Sequence, residues 1–459
     1  MKIKFCGASG GDVTGSKHLI SFKGGSILLD AGLFQGRRKE TIEKNLNFPF
    51  LVDDIDGVII SHSHIDHIGV LPVLVKKGFN KGIYLNRITA EISRIMLLDS
   101  ARLQKEDAKF YNKIHPQEKP IEPIYDEEDV QKVFGLFKTF ERGEFLQPID
   151  GVYVKFINAG HVLGSSSIVI NDGKNKILYT GDIGRQNQLL LKSPDIEENI
   201  DWLIMETTYG DRDHDDIKNV YQEFSSIIEE AIKNKSKIII PSFSLERTQE
   251  IIYLIDMLIH EEKFRKIDVY VDSPMSVRIT DIFNKNLGEV DFNVCFKNYT
   301  RFDKDPFGYE YIKYISSREE SQRLNQKEGP MIIISASGMC EGGRILHHIR
   351  NSIDNEKNIL LIVGYQAENT LGRRLKDGAK KVKIFGLEHN VFFKVRSLDF
   401  FSAHAGRSDL LDYVMKINPQ KGIFLVHGEE KARTSFKFLL KENGFKNVFT
   451  PDMGEEFEI

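Results

Sequence analysis

The chain has 459 residues, 41% of them hydrophobic, and 63 Lys and Arg against 67 Asp and Glu give a formal net charge of −4. That length predicts two or three domains with a sizeable core, and the charge excludes the global basic signature of a nucleic-acid binder, so any polyanion must be held locally or by metal. Cys6, Cys295 and Cys340 are scattered and read as buried free thiols in a reducing compartment, and with neither a signal pattern at the N-terminus nor an apolar run of spanning length, a soluble cytoplasmic protein without a membrane segment is predicted.

Residues 1 to about 60 predict β-hairpin material, with short strands at 2–5, 18–22, 26–30 and 57–60 between glycine-rich turns. Asp30 ends one of these strands. The next stretch, residues 61–69, reads Ser-His-Ser-His-Ile-Asp-His-Ile-Gly and packs His62, His64, Asp66 and His67 together. Apolar runs lead in and out, so these residues fall where a buried strand hands over to a helix. In the extended part His62 and His64 point to one side; Asp66 and His67 then lie in the first helical turn and can face back. That geometry suits two adjacent metal ions. Helical periodicity follows at 70–77 and 90–104, and residues 105–128 read as a charged, mobile stretch. Strands resume at 152–157 and 167–170 and bring His161 and then Asp182, each just past a predicted strand. Alone, either residue would more often cap a turn; their value comes from joining the first cluster.

From about Tyr209 strands at 237–241, 269–272, 331–335 and 358–364 alternate with helical patterns and predict a parallel sheet covered on both faces. Small residues follow these strands, as in Ser242-Phe243-Ser244, Ser335-Ala336-Ser337-Gly338 and Gly364-Tyr365-Gln366. Such loops can cradle phosphate, but tight strand-to-helix turns need small residues anyway. Residues 373–396 carry eight Lys or Arg against Asp377 and Glu388, a solvated face or a track for a polyanion backbone. His404 and His427 then lie at two further strand ends, before a last helix at 431–443 and a short strand.

Suppose His62, His64 and His161 hold one ion and Asp66, His67 and His427 a second, with the Asp182 carboxylate bridging. Imidazole and carboxylate ligation without thiolate favours Zn2+, with Mn2+ or Fe left open. Two ions lower the pKa of a bridging water towards about 7 and clamp a phosphoryl or acyl oxygen, so hydrolysis is the natural outcome. Asp30 is assigned to orienting the histidine loop by hydrogen bonds.

The His-x-His-x-Asp-His cluster, the Gly-His161 turn and the Thr-Gly-Asp182 turn resemble the metallo-β-lactamase fold. Glu206-Thr207-Thr208-Tyr209-Gly210-Asp211, Ser242-Phe243-Ser244 with Arg247-Thr248-Gln249, Asp272-Ser273-Pro274-Met275, Ser335-Ala336-Ser337-Gly338-Met339 and Gly364-Tyr365-Gln366-Ala367 narrow the resemblance to its β-CASP branch of nucleases. The resemblance implies an α/β fold: an αββα metallo-β-lactamase sandwich from residues 1–208 and 397–459, with a β-CASP domain on a mainly parallel sheet inserted at 209–396. Position by position, Glu206 matches the family's motif A, His404 its motif B and His427 its motif C, and a histidine at motif C implies RNA rather than DNA. His404, held in its tautomer by Glu206, would protonate the leaving 3′ oxygen, and Asp66 is a catalytic position as well as a ligand.

The implied reaction is attack by metal-bound hydroxide on single-stranded RNA, leaving a 5′-phosphate and a 3′-hydroxyl. Endonuclease action is the first choice and 5′-to-3′ exonuclease action the alternative. Arg247, Ser337, Gly338 and Arg374 are the positions for gripping backbone phosphates. A homodimer is left open, with no stretch that identifies its interface. Two departures stand out: Gly406 follows the Ser-Ala-His404-Ala motif where many members carry Asp, with Asp409 as a substitute cap, and Asn369 stands where glycine is common. Neither an RNase J-type added domain nor leading KH modules is present, so the resemblance is to compact members similar to the nuclease subunit of the cleavage and polyadenylation machinery. Two other classes compete: a metallo-hydrolase of small esters, and a non-catalytic RNA-binding scaffold.

Overall fold

The computed structural model describes residues 1–36, 38–214, 217–261, 267–367, 369–398 and 401–459. It divides into two compact units. One comprises Met1–Gln188, Lys192–Asp213 and His404–Ile459, the other Leu189–Leu191 and His214–Ala403.

Two seven-stranded sheets make the first unit. The first runs, in spatial order, Glu456–Glu458, Lys2–Gly7, Lys17–Phe22, Gly25–Leu29, Gly57–Ile59, Gly82–Asn86 and Phe137–Phe140. Its hairpin half is antiparallel, and from Gly25–Leu29 onward the pairing is parallel. The second runs Val448–Phe449, Gly422–Val426, Trp202–Glu206, Lys176–Tyr179, Ser166–Asn171, Val152–Asn158 and Phe145–Ile149. Alternating apolar positions of both sheets interlock in one buried layer: Ile3, Phe5, Ile27 and Ile59 from the first meet Phe156, Ile170, Ile177, Ile204 and Phe424 from the second. Helices cover the outer faces. Val70, Leu71, Leu74 and Leu97 pack on the first sheet, and Leu410, Val414, Phe436 and Leu440 on the second. This is an αββα sandwich.

Strand direction decides where the site lies. Val152–Asn158 and Lys176–Tyr179 both pair antiparallel with Ser166–Asn171, so they point the same way, and Trp202–Glu206 and Gly422–Val426 continue parallel to Lys176–Tyr179. Their carboxyl ends therefore share one edge of the sheet, the place where a parallel sheet offers its loops to a ligand.

The second unit is built on a six-stranded sheet in the order Ile312–Tyr314, Asp268–Val271, Met331–Ser335, Lys237–Pro241, Ile359–Ile362 and Lys394–Ser397. Every pairing in it is parallel. Lys237–Pro241 and Met331–Ser335 are buried throughout, as expected for strands covered on both faces.

Two local readings are corrected. Residues 105–114 are not a mobile stretch but continue the helix Arg87–Ile114, capped by the Asn86 side chain, which accepts a hydrogen bond from Ile88 N. The helix persists because no glycine or proline interrupts it before Pro116, although its buried stripe thins to Ala108. Cys295, expected to be buried, is exposed, whereas Cys6 and Cys340 are buried. It lies beside exposed Val294 at the start of a helix whose buried residue is Phe296.

Candidate metal centre

His62, His64, Asp66 and His67 follow the strand Gly57–Ile59, the last two within the short helix Ile65–Ile68. His161, Asp182 and His427 each follow a strand of the opposite sheet. The structure brings all seven together. Donor atoms of His62, His64, His161 and Asp182 lie within 4.8 Å of one another, as do those of Asp66, His67 and His427. Asp182 stands between the groups: Oδ2 is 3.4 Å from His62 Nε2 and 3.5 Å from His161 Nε2, and Oδ1 is 3.3 Å from His67 Nε2.

These contacts are not ordinary hydrogen bonds. His62 Nε2 and His161 Nε2 approach His64 Nδ1 at 3.1 and 3.2 Å, and His67 Nε2 approaches His427 Nε2 at 3.4 Å. Neutral imidazole lone pairs pointed at each other repel. Two nitrogens bound tetrahedrally to one zinc at about 2.0–2.1 Å would stand about 3.3 Å apart, so these separations fit a shared cation. Asp182 Oδ1 is buried and accepts no hydrogen bond, a costly state for a carboxylate oxygen without a cation. The donor set therefore fits two metal ions.

Protonation agrees with that geometry at His62, His64 and Asp182. At His67 and His427, by contrast, burial opposes a charge but Asp182, joined by Asp30 at the first and Asp66 at the second, outweighs it and lifts both above the usual imidazole range. Burial, reinforced by His67, holds His62 well below the usual imidazole range, and burial takes His64 down to about 4. Both rings are thus neutral, as ligands must be. Burial alone would raise Asp182, but His427, His67 and His62 outweigh it and hold the carboxyl well below its ordinary value.

Asp30 organises the histidine loop. Fully buried at φ 57°, it accepts hydrogen bonds at Oδ1 from Ser61 N (2.7 Å) and at Oδ2 from Ser61 Oγ (2.8 Å), His67 Nδ1 (2.7 Å) and Tyr179 OH (2.7 Å). His67 thereby keeps its proton on Nδ1 and directs Nε2 at Asp182. Ser61 Oγ, its own hydrogen given to Asp30, accepts from His62 Nδ1 at 3.0 Å, which fixes the second tautomer. The turn carrying Asp182 approaches Ser61 closely: a Cβ on Gly181 (φ 55°) would stand 2.6 Å from Ser61 Cβ. His427 also adopts a left-handed backbone, φ 47°, with Nδ1 3.1 Å from Thr208 Oγ1. Backbone strain of this kind collects at functional positions. Ser61, Tyr179 and Thr208 received no role from the sequence, although each adjoins a motif that did.

Glu206, at the end of its strand, is fully buried and accepts from Ile183 N (2.9 Å) and Thr208 N (3.2 Å). His404 Nδ1 lies 2.8 Å from Glu206 Oε1. Burial opposes a charge on His404, but Glu206, with Asp182 and Asp66, prevails and lifts the imidazole to about 9. Gly406 N donates to Asp409 Oδ2 at 3.2 Å, so Asp409 caps the helix Arg407–Ile417 as anticipated.

The four phosphate candidates belong to the second unit. Arg247 is buried, and its Nη1 donates to Val363 O at 2.9 Å. Ser337 and Gly338 follow the strand Met331–Ser335, and a Cβ at Gly338 would meet the Phe243 ring at 2.9 Å. Arg374 is exposed on the helix Leu371–Lys376.

Three sequence families match consecutive stretches: the metallo-beta-lactamase superfamily over residues 11–242, the Beta-Casp domain over 248–375, and the Zn-dependent metallo-hydrolase RNA specificity domain over 388–451. A ribonuclease of Thermus thermophilus is 32% identical over 433 residues, covering 94% of each chain. An RNase J-like protein of Methanocaldococcus jannaschii is 34% identical over 439 residues, covering 94% of this chain and 93% of its own. A crystal structure of a protein of unknown function from Enterococcus faecalis shares the fold over 100% of this chain and 99% of that one, with a TM-score of 0.54 at 13% identity. Continuous matches of this extent, over a sandwich whose strand ends gather these histidines and carboxylates, make the chain a member of the β-CASP ribonuclease branch of the metallo-β-lactamase superfamily.

Proposed function

We propose that this chain is a metal-dependent ribonuclease that cuts single-stranded RNA internally, leaving 5′-phosphate and 3′-hydroxyl ends. The observation that carries the reading is the Glu206–His404 pair, 2.8 Å apart, beside the converging donors around Asp182. His62, His64 and His161 would hold one zinc ion and Asp66, His67 and His427 the other, with Asp182 shared between them. Bound zinc supplies a nucleophile at neutral pH and offsets charge on the phosphoryl oxygens.

The protein's own groups do the rest. Glu206 Oε1 engages His404 Nδ1, which leaves Nε2 as the atom that gives a proton to the leaving 3′ oxygen. Glu206, the largest of the charges that lift this imidazole, lies outside both proposed ligand sets and favours the proton's presence at neutral pH. Asp30 keeps His67 and, through Ser61, His62 in the tautomers that present Nε2. Ser337, Gly338 and Arg374 would grip backbone phosphates, and Arg247, engaged with Val363 O, would act by holding the strand end that carries Gly364-Tyr365-Gln366.

RNA is favoured over other esters by His427 at motif C, by the match to an RNA specificity domain, and by relatives named as ribonucleases. The test incubates the purified chain and zinc with single-stranded RNA labelled at either end. Internal fragments with 3′-hydroxyl ends are expected. Stepwise mononucleotide release from the 5′ end would replace the endonuclease reading, and faster turnover of small esters than of RNA would overturn the assignment to RNA.

A further inference from the structure

The second unit contains another group of donors, remote in sequence from those around Asp182. Asp256 and His260 lie four residues apart on the helix Arg247–His260 and so share a face. Asp303 caps the C-terminus of the helix Val294–Phe302, which supplies Tyr299. One donor atom from each of Asp256, His260 and Asp303 lies within 4.8 Å of the other two. His260 Nε2 is 3.2 Å from Asp303 Oδ2, and Tyr299 OH donates to Asp256 Oδ2 at 2.6 Å.

A second observation points to a missing partner. Asp256 is completely buried, yet its Oδ1 accepts no hydrogen bond and faces His260 Nδ1 at 3.8 Å. Among the described residues neither Asp256 nor Asp303 pairs with a lysine or arginine. Two carboxylates thus converge on one phenol and one half-exposed imidazole, with Asp305 N donating to Asp303 Oδ1 at 2.7 Å. One buried carboxylate oxygen is left without a donor, an arrangement that costs free energy unless a proton or a cation completes it. His260, 52% exposed at its side chain, gives an ion from solvent a way in.

We propose that Asp256, His260 and Asp303 bind a divalent transition-metal ion of the zinc class, which fastens the end of one helix to the end of the other. Two carboxylate oxygens and one imidazole nitrogen are a zinc donor set, with water free to fill the remaining position. The site shares no residue with the proposed reaction and does not depend on it. Its test compares the zinc content of the full chain with that of His260→Ala and Asp303→Asn after dialysis against micromolar zinc, each variant checked for folding by circular dichroism. Each substitution is expected to lower zinc by one equivalent per chain while RNA cleavage stays at the unsubstituted rate. A zinc-edge anomalous map of crystals of the full chain is expected to show a peak between Asp256 and Asp303. Equal zinc content in all three chains, or no such peak, overturns the site.

Discussion

His404 lies beside the proposed donors, its ring centroid 4.6 Å from that of His161, yet it stands outside both proposed ligand sets, so its role is separable from metal binding. Replacing His404 with Ala is expected to lower RNA turnover by about 10²–10⁴-fold, the usual worth of a positioned general acid, while zinc content by mass spectrometry is unchanged. Asp66→Ala should instead abolish cleavage and leave RNA retention in a gel-shift assay largely intact. Unchanged cleavage would mean the site is misplaced. Asp30 makes a third, graded case. Its carboxylate accepts four hydrogen bonds, so Asp30→Asn must turn an amide donor towards groups that already donate. A loss of zinc affinity of about 10–100-fold is expected, measured by competition with a chromogenic chelator. The orienting role of Asp30 was legible from its position at a strand end near the histidine loop. Tyr179 and Ser61 were not, because a phenol 149 residues away in sequence leaves no local pattern for the hydrogen bond it will make.

Among the elements of the second unit, the turn after Asp268–Val271 shows how a motif residue can be structural. Asp272 is fully buried and joins three helical side chains: Ser321 Oγ (2.5 Å), Arg344 Nη1 (2.6 Å) and His348 Nε2 (2.6 Å). Burial would raise its carboxyl, but the hydrogen bonds from His348, Ser321 and Arg344 outweigh it and hold the group below its ordinary value. A carboxyl depressed in the folded state stabilises the fold above its unfolded value of about 3.9 and loses that contribution as pH falls through the lower folded value. Urea denaturation across acid pH should therefore show stability draining away below about pH 4. Asp272→Asn should cost about 3–5 kcal/mol at neutral pH and flatten the acid limb. The sequence placed Asp272 at a strand end, but its partners lie 49 to 76 residues further on, beyond any local periodicity. The long helix Arg87–Ile114 failed for the opposite reason: its last turns are made by propensity with little buried surface, so the pattern faded before the helix did.

Across the whole molecule, order and alternation of strands were legible because apolar runs and glycine turns state them locally, and the candidate donors stood out because histidines just past strand ends are conspicuous. What joined them was pairing between distant strands. A metal site built as proposed, with donors from both sheets, ties metal binding to folding. Zinc at 100 times its dissociation constant should add about 2.7 kcal/mol of stability per site. A chelator is accordingly expected to lower the melting temperature, and Asp182→Ala to lose much of that response; an equal response in the variant would uncouple the donors from the fold. The placement of Gly422–Val426 beside Trp202–Glu206 adds a matter of timing. Domains fold as they leave the ribosome, N-terminal parts first, yet the strand that delivers His427 is synthesised more than 200 residues after its neighbour. A nascent chain acting as proposed stays silent at least until His427 has left the ribosome, so the stretch of message that encodes the other donors is read before a competent enzyme exists beside it.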